Sequence, residues 1–166
     1  MAITMKTYSG VSVTHKNDGI IRQALLPNCI LSGCGMSFSG TTLSIATGYL
    51  MIAGREIYID STTSVTVPTT STYALVKLTI SESTGSVTLS ASAASSTSPS
   101  VGTQGLINLS GTTYSEMVAI VRISGGAIAG IVKKLRKYAP MGRIYGTAAT
   151  PSDTDYVDGT EYIQYE

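Results

Sequence analysis

Short segments in which hydrophobic and polar residues alternate recur along the chain, and glycines separate many of them. Leu43 and Ile45 alternate with smaller residues, and two apolar runs meet at Gly54 and Arg55. A period of two residues is typical of a strand that buries one face. We therefore predict a β-hairpin within residues 48–60, with Gly54-Arg55 as a type II′ turn, because that turn takes Gly at its first central position.

The middle of the chain repeats this pattern with longer strands. The run at residues 73–80 is followed by a turn at 83–85, and the apolar run at 117–123 is followed by a turn at 124–127. Between these two hairpins, the small residues 90–100 show no periodicity and predict a loop. An amphipathic helix is the alternative to a strand after the last turn, but the Gly-Gly pair and the β-branched residues favour a strand.

Residues 1–30 differ from the rest of the chain because they contain a helical pattern. Asn17 or Asp18 suits a helix N-cap, and apolar residues recur at helical spacing between residues 20 and 25. Pro27 ends this stretch, since the residue before a proline avoids helical geometry. A helix this short is marginal alone. It must pack either on its own domain or on another subunit, and both alternatives stay open.

Together these patterns predict an all-β fold, mainly an antiparallel β-sandwich or distorted barrel, with one short N-terminal helix and a C-terminal β-hairpin tail. The predicted parts are an arm with the helix (residues 1–30), the β-sandwich domain (31–138) and the Tyr-rich hairpin tail (139–166). Ten hydrophobic side chains are expected to be mostly buried in the sandwich: Leu43, Ile45, Met51, Ile57, Leu75, Leu78, Ile80, Val118, Ile120 and Val121.

The composition supports a packed domain with little charge. The 166 residues are 43% hydrophobic and 13% charged, against a usual charged share of about 25%. A net charge of +1 supplies no field that attracts nucleic acid, so no nucleic-acid partner is expected. No apolar run reaches transmembrane length and no signal-peptide pattern is visible. We therefore expect no membrane insertion, and synthesis in a cytosol.

Histidine and cysteine offer little catalytic potential. His15 is the only histidine, and it has neither a second His nor a close Cys or carboxylate pair that would make a metal site. Cys29 and Cys34 are expected to be core thiols rather than nucleophiles, because a catalytic Cys needs a base and His15 is the sole candidate. A local disulfide between them is the open alternative. These residues predict no catalytic, cofactor or metal site, and hence no enzyme.

Two charged clusters have an ordinary structural interpretation. Asp153, Asp155 and Asp158 resemble a calcium loop in their spacing, but the glycine and the distal glutamate stand at the wrong positions. The basic cluster at residues 133–137 lacks interleaved aromatic residues, so we expect a solvated strand end rather than a nucleic-acid site.

Several segments resemble small structural proteins of tailed bacteriophages. A segment of the form strand, Gly, aromatic or Ala, x, Ile, x, Gly, Arg recurs in tail-tip, baseplate and appendage proteins. Residues 118–136 and the tail segments 142–151 and 158–165 are similar to other parts of such proteins, although Thr160 stands where those tails tend to have Asp. The residues that match the first segment are Leu43, Ile45, Gly48, Tyr49, Ile52, Gly54 and Arg55.

The resemblance implies synthesis in the host bacterial cytoplasm and a final location in the virion. It also implies a structural role in the tail, baseplate or another appendage, with siphophage upper baseplate proteins as the nearest role. The implied partners are other virion proteins and further copies of this chain, with a trimer favoured. A module that binds a host surface glycan is the alternative function. A hydrolase of surface polysaccharide is the remote alternative.

Apolar and tyrosine side chains near both ends exceed what such short segments can bury by themselves. Tyrosine is favoured at protein interfaces because it combines a large apolar area with a polar tip. Packing of both ends on their own domain, with a self-packed strand pair in the tail, is the open alternative. The candidate assembly interface consists of Tyr8, Val11, Ile20, Ile21, Leu25, Tyr145, Tyr156, Tyr162 and Tyr165.

Overall fold

The computed structural model describes residues 18, 21, 22, 24–102 and 113–138, and it gives residues 143–146 and 161–164 as backbone. Within these residues the chain forms twelve β-strands. Their bounds are β1 (Cys29–Gly33), β2 (Met36–Ser39), β3 (Thr42–Ile45), β4 (Gly48–Ile52), β5 (Arg55–Ile59), β6 (Thr63–Thr66), β7 (Tyr73–Ser81), β8 (Ser86–Ala94), β9 (Thr113–Ser124), β10 (Ala127–Lys134), β11 (Arg143–Gly146) and β12 (Glu161–Gln164).

The first ten strands form three antiparallel sheets. Sheet A has the order β1-β4-β5, sheet B the order β2-β3-β6, and sheet C the order β10-β9-β7-β8. The prediction of a mainly antiparallel, sandwich-like fold is confirmed. None of the sheets in the described part of the chain closes into a barrel.

The core lies between sheet C and the two smaller sheets. One cluster packs Leu50 and Ile52 of sheet A against Leu78 and Val118 of sheet C. A second cluster brings residues of sheet B, including Leu43, onto the other half of sheet C. All ten side chains that the alternation pattern assigns to the core are buried. Each contributes about 1.5–3 kcal/mol relative to exposure, so these clusters supply the main stabilisation of the sandwich.

The turn between β4 and β5 lies one residue earlier than predicted. Ile52 pairs with Arg55, so Ala53 and Gly54 are the central residues. Their φ angles are 49° and 71°. Positive φ at both central positions defines a type I′ turn, so the predicted type II′ turn at Gly54-Arg55 is wrong. The left-handed conformation of Ala53 costs roughly 1–2 kcal/mol, and it is supported by its N–H, which donates to Asn28 Oδ1 at 2.7 Å.

The small residues after Leu89 belong partly to a strand. β8 extends to Ala94, which pairs with Tyr73 of β7. Residues 90–94 were predicted to be loop, so the predicted loop is wrong over that part. Ala94 is buried against Leu75 and Ile120 on the outer face of sheet C. Pairing with the long strand β7 therefore outweighs the weak local strand preference of Ser and Ala.

The segment after the second long hairpin is a strand, as predicted, and the helix alternative is wrong. Ser124 pairs with Ala127, and the intervening Gly125 and Gly126 have φ angles of 59° and 75°. Two glycines with positive φ allow the type I′ turn that joins β9 to β10.

The two ends of the chain are described in part. The described residues between 18 and 25 have helical backbone, and the Leu26 N–H donates to the Arg22 carbonyl at 2.8 Å. The other residues of the predicted helix lie outside the described residues, so the helix stays a prediction. β11 and β12 pair in parallel. The predicted C-terminal β-hairpin is therefore wrong, because hairpin strands are antiparallel and parallel strands need a longer connection.

Candidate interaction surfaces

Two residues of the predicted assembly interface are exposed. Ile21 is 48% exposed and Leu25 is 74% exposed. They are four residues apart on helical backbone and therefore lie on the same face. Asp18 and Arg22 form an ion pair at 2.9 Å with the same spacing. The segment thus presents a polar pair and an apolar pair to the surroundings.

The other predicted interface residues lie either in the strands given as backbone or outside the described residues. Tyr145 and Tyr162 belong to β11 and β12, which are given as backbone, and Tyr162 stands opposite Ile144 in the register. The remaining predicted interface residues, Tyr8, Val11, Ile20, Tyr156 and Tyr165, lie outside the described residues.

The two cysteines lie in the core, as the sequence predicts. Cys29 and Cys34 are free and buried. Burial raises the pKa of both thiols above the ordinary value, and the reactive form of cysteine is the thiolate. Both groups therefore serve as small apolar side chains.

The other candidate chemical groups of the sequence lie elsewhere. His15 and the three aspartates 153, 155 and 158 lie outside the described residues. In the part that the structure describes, no group of three or more His, Cys, Asp or Glu side chains is arranged to hold a metal ion.

A hydrogen-bonded cluster of polar side chains joins the β4–β5 turn to sheet C. Asn28 Nδ2 donates to the Tyr114 hydroxyl at 3.0 Å and also to the Glu116 carboxylate, while Asn28 Oδ1 holds Ala53. Burial raises the pKa of Tyr114, and the neighbouring Glu116 charge raises it further, against a lowering hydrogen bond from Asn28. We call Asn28, Tyr114 and Glu116 the polar cluster. It fixes the position of the hairpin.

The hairpin held in this way carries a pair of exposed tyrosines. Tyr49 of β4 pairs with Tyr58 of β5. Their rings stack with centroids 4.6 Å apart and an interplanar angle of 25°. The exposed fractions are 39% for Tyr49 and 58% for Tyr58. We call Tyr49 and Tyr58 the tyrosine pair, which no sequence pattern predicted as a site.

A groove of about 310 Å³ runs beside Tyr58, between β5 and β8. Glu56 and Tyr58 of β5, Asp60 directly after it and Thr63 line the groove. Its apolar wall includes Val87, which is 43% exposed. The groove therefore combines an aromatic ring, two carboxylates and an apolar wall. Its volume lies at the lower end of the range for small-molecule sites.

The basic cluster at residues 133–137 lines a second, larger groove of about 1170 Å³ between β1 and the end of β10. The Lys133 ammonium donates to Ser98 Oγ at 3.0 Å. Lys133 and Lys137 are exposed, whereas Lys134 and Arg136 are half-buried. The cluster is therefore part of a groove wall. The prediction of a solvated strand end holds for Lys133 and Lys137, but not for the half-buried Lys134 and Arg136.

Comparison with known proteins yields no identification, since no protein-family model matches the chain and no curated protein matches its sequence. Among the described residues, no helix has both the length and the apolar character needed to span a bilayer.

Proposed function

We propose that this protein is a structural component of a tailed-bacteriophage virion, in the tail, the baseplate or another appendage. It acts through self-assembly and through contacts with other virion proteins. The resemblance of the hairpin and tail segments to such proteins supports the virion role. The observation that carries the assembly role is the exposed apolar pair Ile21 and Leu25.

Burial of Ile21 and Leu25 in a subunit interface would stabilise the assembly. Burying a Leu or Ile side chain contributes about 1.5–3 kcal/mol of stability. Ile21 and Leu25 are exposed, so packing within one copy of the chain does not supply this free energy in full. A second subunit that covers both residues gains this energy on association. The low charge of the chain favours close packing of identical copies, because like charges that face each other oppose association.

Replacing Ile21 and Leu25 together by serine is expected to weaken self-association by tenfold or more, since about 1.4 kcal/mol corresponds to a factor of ten. The measurement is the mass of the full-length chain by light scattering over a dilution series. Three copies, or a multiple of three, are expected for the unchanged protein. Phe38→Ser is the matched control, because Phe38 is 42% exposed on β2, outside this segment.

A monomeric full-length protein at micromolar concentration would contradict self-assembly. The virion role has its own test, which is the detection of the chain by mass spectrometry in purified particles. Particles that lack the chain would contradict that role, whatever the oligomeric state in solution.

Binding of a host surface glycan is the second candidate function, and the tyrosine pair beside the β5–β8 groove favours it. A sugar ring presents apolar C–H groups on one face and hydroxyls at its edge. The exposed ring of Tyr58 offers an aromatic surface for the former, and Glu56 and Asp60 offer acceptors for the latter.

For this candidate, Tyr58→Ala is expected to reduce glycan affinity by tenfold or more while leaving the fold intact, because the side chain is 58% exposed. Binding is measured on an array of bacterial surface glycans. Phe38→Ala removes an exposed aromatic residue on another sheet and should change nothing. Equal binding by both variants would exclude the tyrosine pair as the site.

A further inference from the structure

One edge of sheet C is formed by β8, which lacks the features that usually prevent an edge strand from pairing with another strand. It pairs with β7 at nine consecutive positions without a register shift. Its sequence, SVTLSASAA, contains no charged residue and no proline. Exposed edges of this kind are templates for pairing with another strand, and proteins usually block them with lysine, proline or bulges.

The opposite edge of the same sheet shows such protection. β10 has two register shifts against β9 and ends in Lys133-Lys134. Its Ile128 N–H also donates to the Gly40 carbonyl of a neighbouring turn. For β8, by contrast, the described residues provide no backbone partner beyond β7. The two edges of one sheet therefore differ in the features that control strand addition.

Strand β6 approaches β8 but pairs only with β3 among the described strands. Thr63, at the start of β6, lines the groove beside Val87 and Leu89. Val65 of β6 belongs to the same core cluster as Leu89 and Ala91, so β6 packs on the inner face of β8 and does not extend its edge. Ser90 and Ser92 stand opposite Lys77 and Leu75, which places both serines on the outer face of sheet C.

We propose that the β8 edge pairs in antiparallel fashion with β8 of a second copy of this chain. The contact joins two four-stranded sheets into one continuous sheet across a two-fold axis. It rests on the proposed self-assembly and names the surface that mediates it.

A second copy fits this edge better than an unrelated strand for two reasons. Two identical edges have the same length, so nine residues face nine. Neither edge carries a charge, so antiparallel pairing brings no like charges together. Main-chain hydrogen bonds then supply the affinity, as in other cases of strand addition.

Cysteine cross-linking tests the proposal on the full-length chain. Thr88→Cys, Ser90→Cys and Ser92→Cys are prepared singly and oxidised alone and in pairwise mixtures. Directly opposed residues of an antiparallel pair have Cα atoms about 4.5–5.5 Å apart, within the range that a disulfide spans. We expect one single variant or one mixture to give covalent dimers far in excess of the others.

Ala129→Cys on the exposed part of β10 is the matched control, and the unchanged chain with its two buried thiols is the background. The proposal is wrong if no β8 variant or mixture cross-links more than Ala129→Cys. It is also wrong if all β8 variants cross-link equally, because random collision gives that result.

A second measurement adds charge to the edge. Thr88→Lys with Ser92→Lys adds charge at two exposed positions of β8, so we expect the fold to be retained, as checked by circular dichroism. The double variant is expected to weaken self-association at least tenfold, whereas Ala129→Lys leaves it unchanged. Because the β8 contact joins two trimers across a two-fold axis, the unchanged chain should form a particle of six copies, and the double variant should reduce it to three.

The outcomes separate this inference from the proposed function. The unchanged chain could form a three-copy particle that dissociates in the Ile21→Ser/Leu25→Ser variant but stays intact in the β8 double lysine variant. This result would overturn the β8 contact while supporting self-assembly. A monomer that never cross-links would overturn both.

Discussion

Gly48→Ala is expected to lower the free energy of unfolding by about 3 kcal/mol, because the structure leaves no space for a side chain there. Gly48 of β4 pairs with Gly33 of β1. A Cβ atom at Gly48 would overlap the Ser32 carbonyl oxygen and the Cys34 backbone nitrogen, and it would lie 2.7 Å from Cys34 Sγ. Two of these three atoms are backbone atoms, one in β1 and one in the residue directly after it, and they move only if sheet A is distorted.

Two other glycines separate this clash from the general cost of replacing glycine. At Gly130, no heavy atom lies within 4 Å of the position that an alanine Cβ would occupy, so Gly130→Ala should leave the stability unchanged. Gly85 has equally open space but a φ angle of 65°, so Gly85→Ala should cost about 1 kcal/mol of backbone strain. The measurement is the urea midpoint at constant m-value. If Gly48→Ala unfolds at the midpoint of Gly130→Ala, the close approach of β1 and β4 is wrong.

Much of the sandwich could be predicted because its signals are local. Val118, Ile120 and Val121 lie in an apolar run that no other element type explains as well, and the Gly125-Gly126 pair marks its turn. Alternation also identifies the buried face of β3 through Leu43 and Ile45. In each case a few adjacent residues decide both the element and its buried face.

The tyrosine pair could not be predicted because it depends on a contact distant in sequence. With a turn at Gly54-Arg55, Tyr49 would face Asp60 rather than Tyr58. The turn instead uses Ala53, whose N–H is held by Asn28 from 25 positions earlier in the chain. No local pattern indicates that an alanine will adopt positive φ there. A shift of one residue in a turn changes every cross-strand pair of the hairpin.

Other features were missed for similar reasons. The alternation pattern did not predict β1, whose partner is β4, or β2, whose segment MSFS has only two apolar residues. The parallel pairing of β11 with β12 was missed because two short strands around a loop resemble a hairpin in sequence. Strand order and edge exposure depend on the whole sheet, so the open edge of β8 becomes visible only in the structure.

Asn28→Ala is expected to lower the free energy of unfolding by about 3 kcal/mol, because one side chain serves three partners in the polar cluster and the turn. Its Oδ1 accepts from the Ala53 N–H at 2.7 Å, and its Nδ2 donates to Tyr114 and to the Glu116 carboxylate. A hydrogen bond to a charged group contributes about 1.5–3 kcal/mol and a neutral one about 1 kcal/mol. The variant also removes the contact that supports the left-handed Ala53.

Tyr114→Phe is the control for the general effect of altering the polar cluster. It removes the hydroxyl that receives the Asn28 hydrogen bond and donates to Glu116 at 3.2 Å, but it leaves the bond between Asn28 and Ala53 in place. We expect a loss of about 1–2 kcal/mol for this variant. Equal losses for Tyr114→Phe and Asn28→Ala would mean that Asn28 does not support the turn. A larger loss for Asn28→Ala, with weaker stacking of Tyr49 on Tyr58 in the near-ultraviolet circular dichroism, would show that Asn28 fixes the hairpin that carries the tyrosine pair.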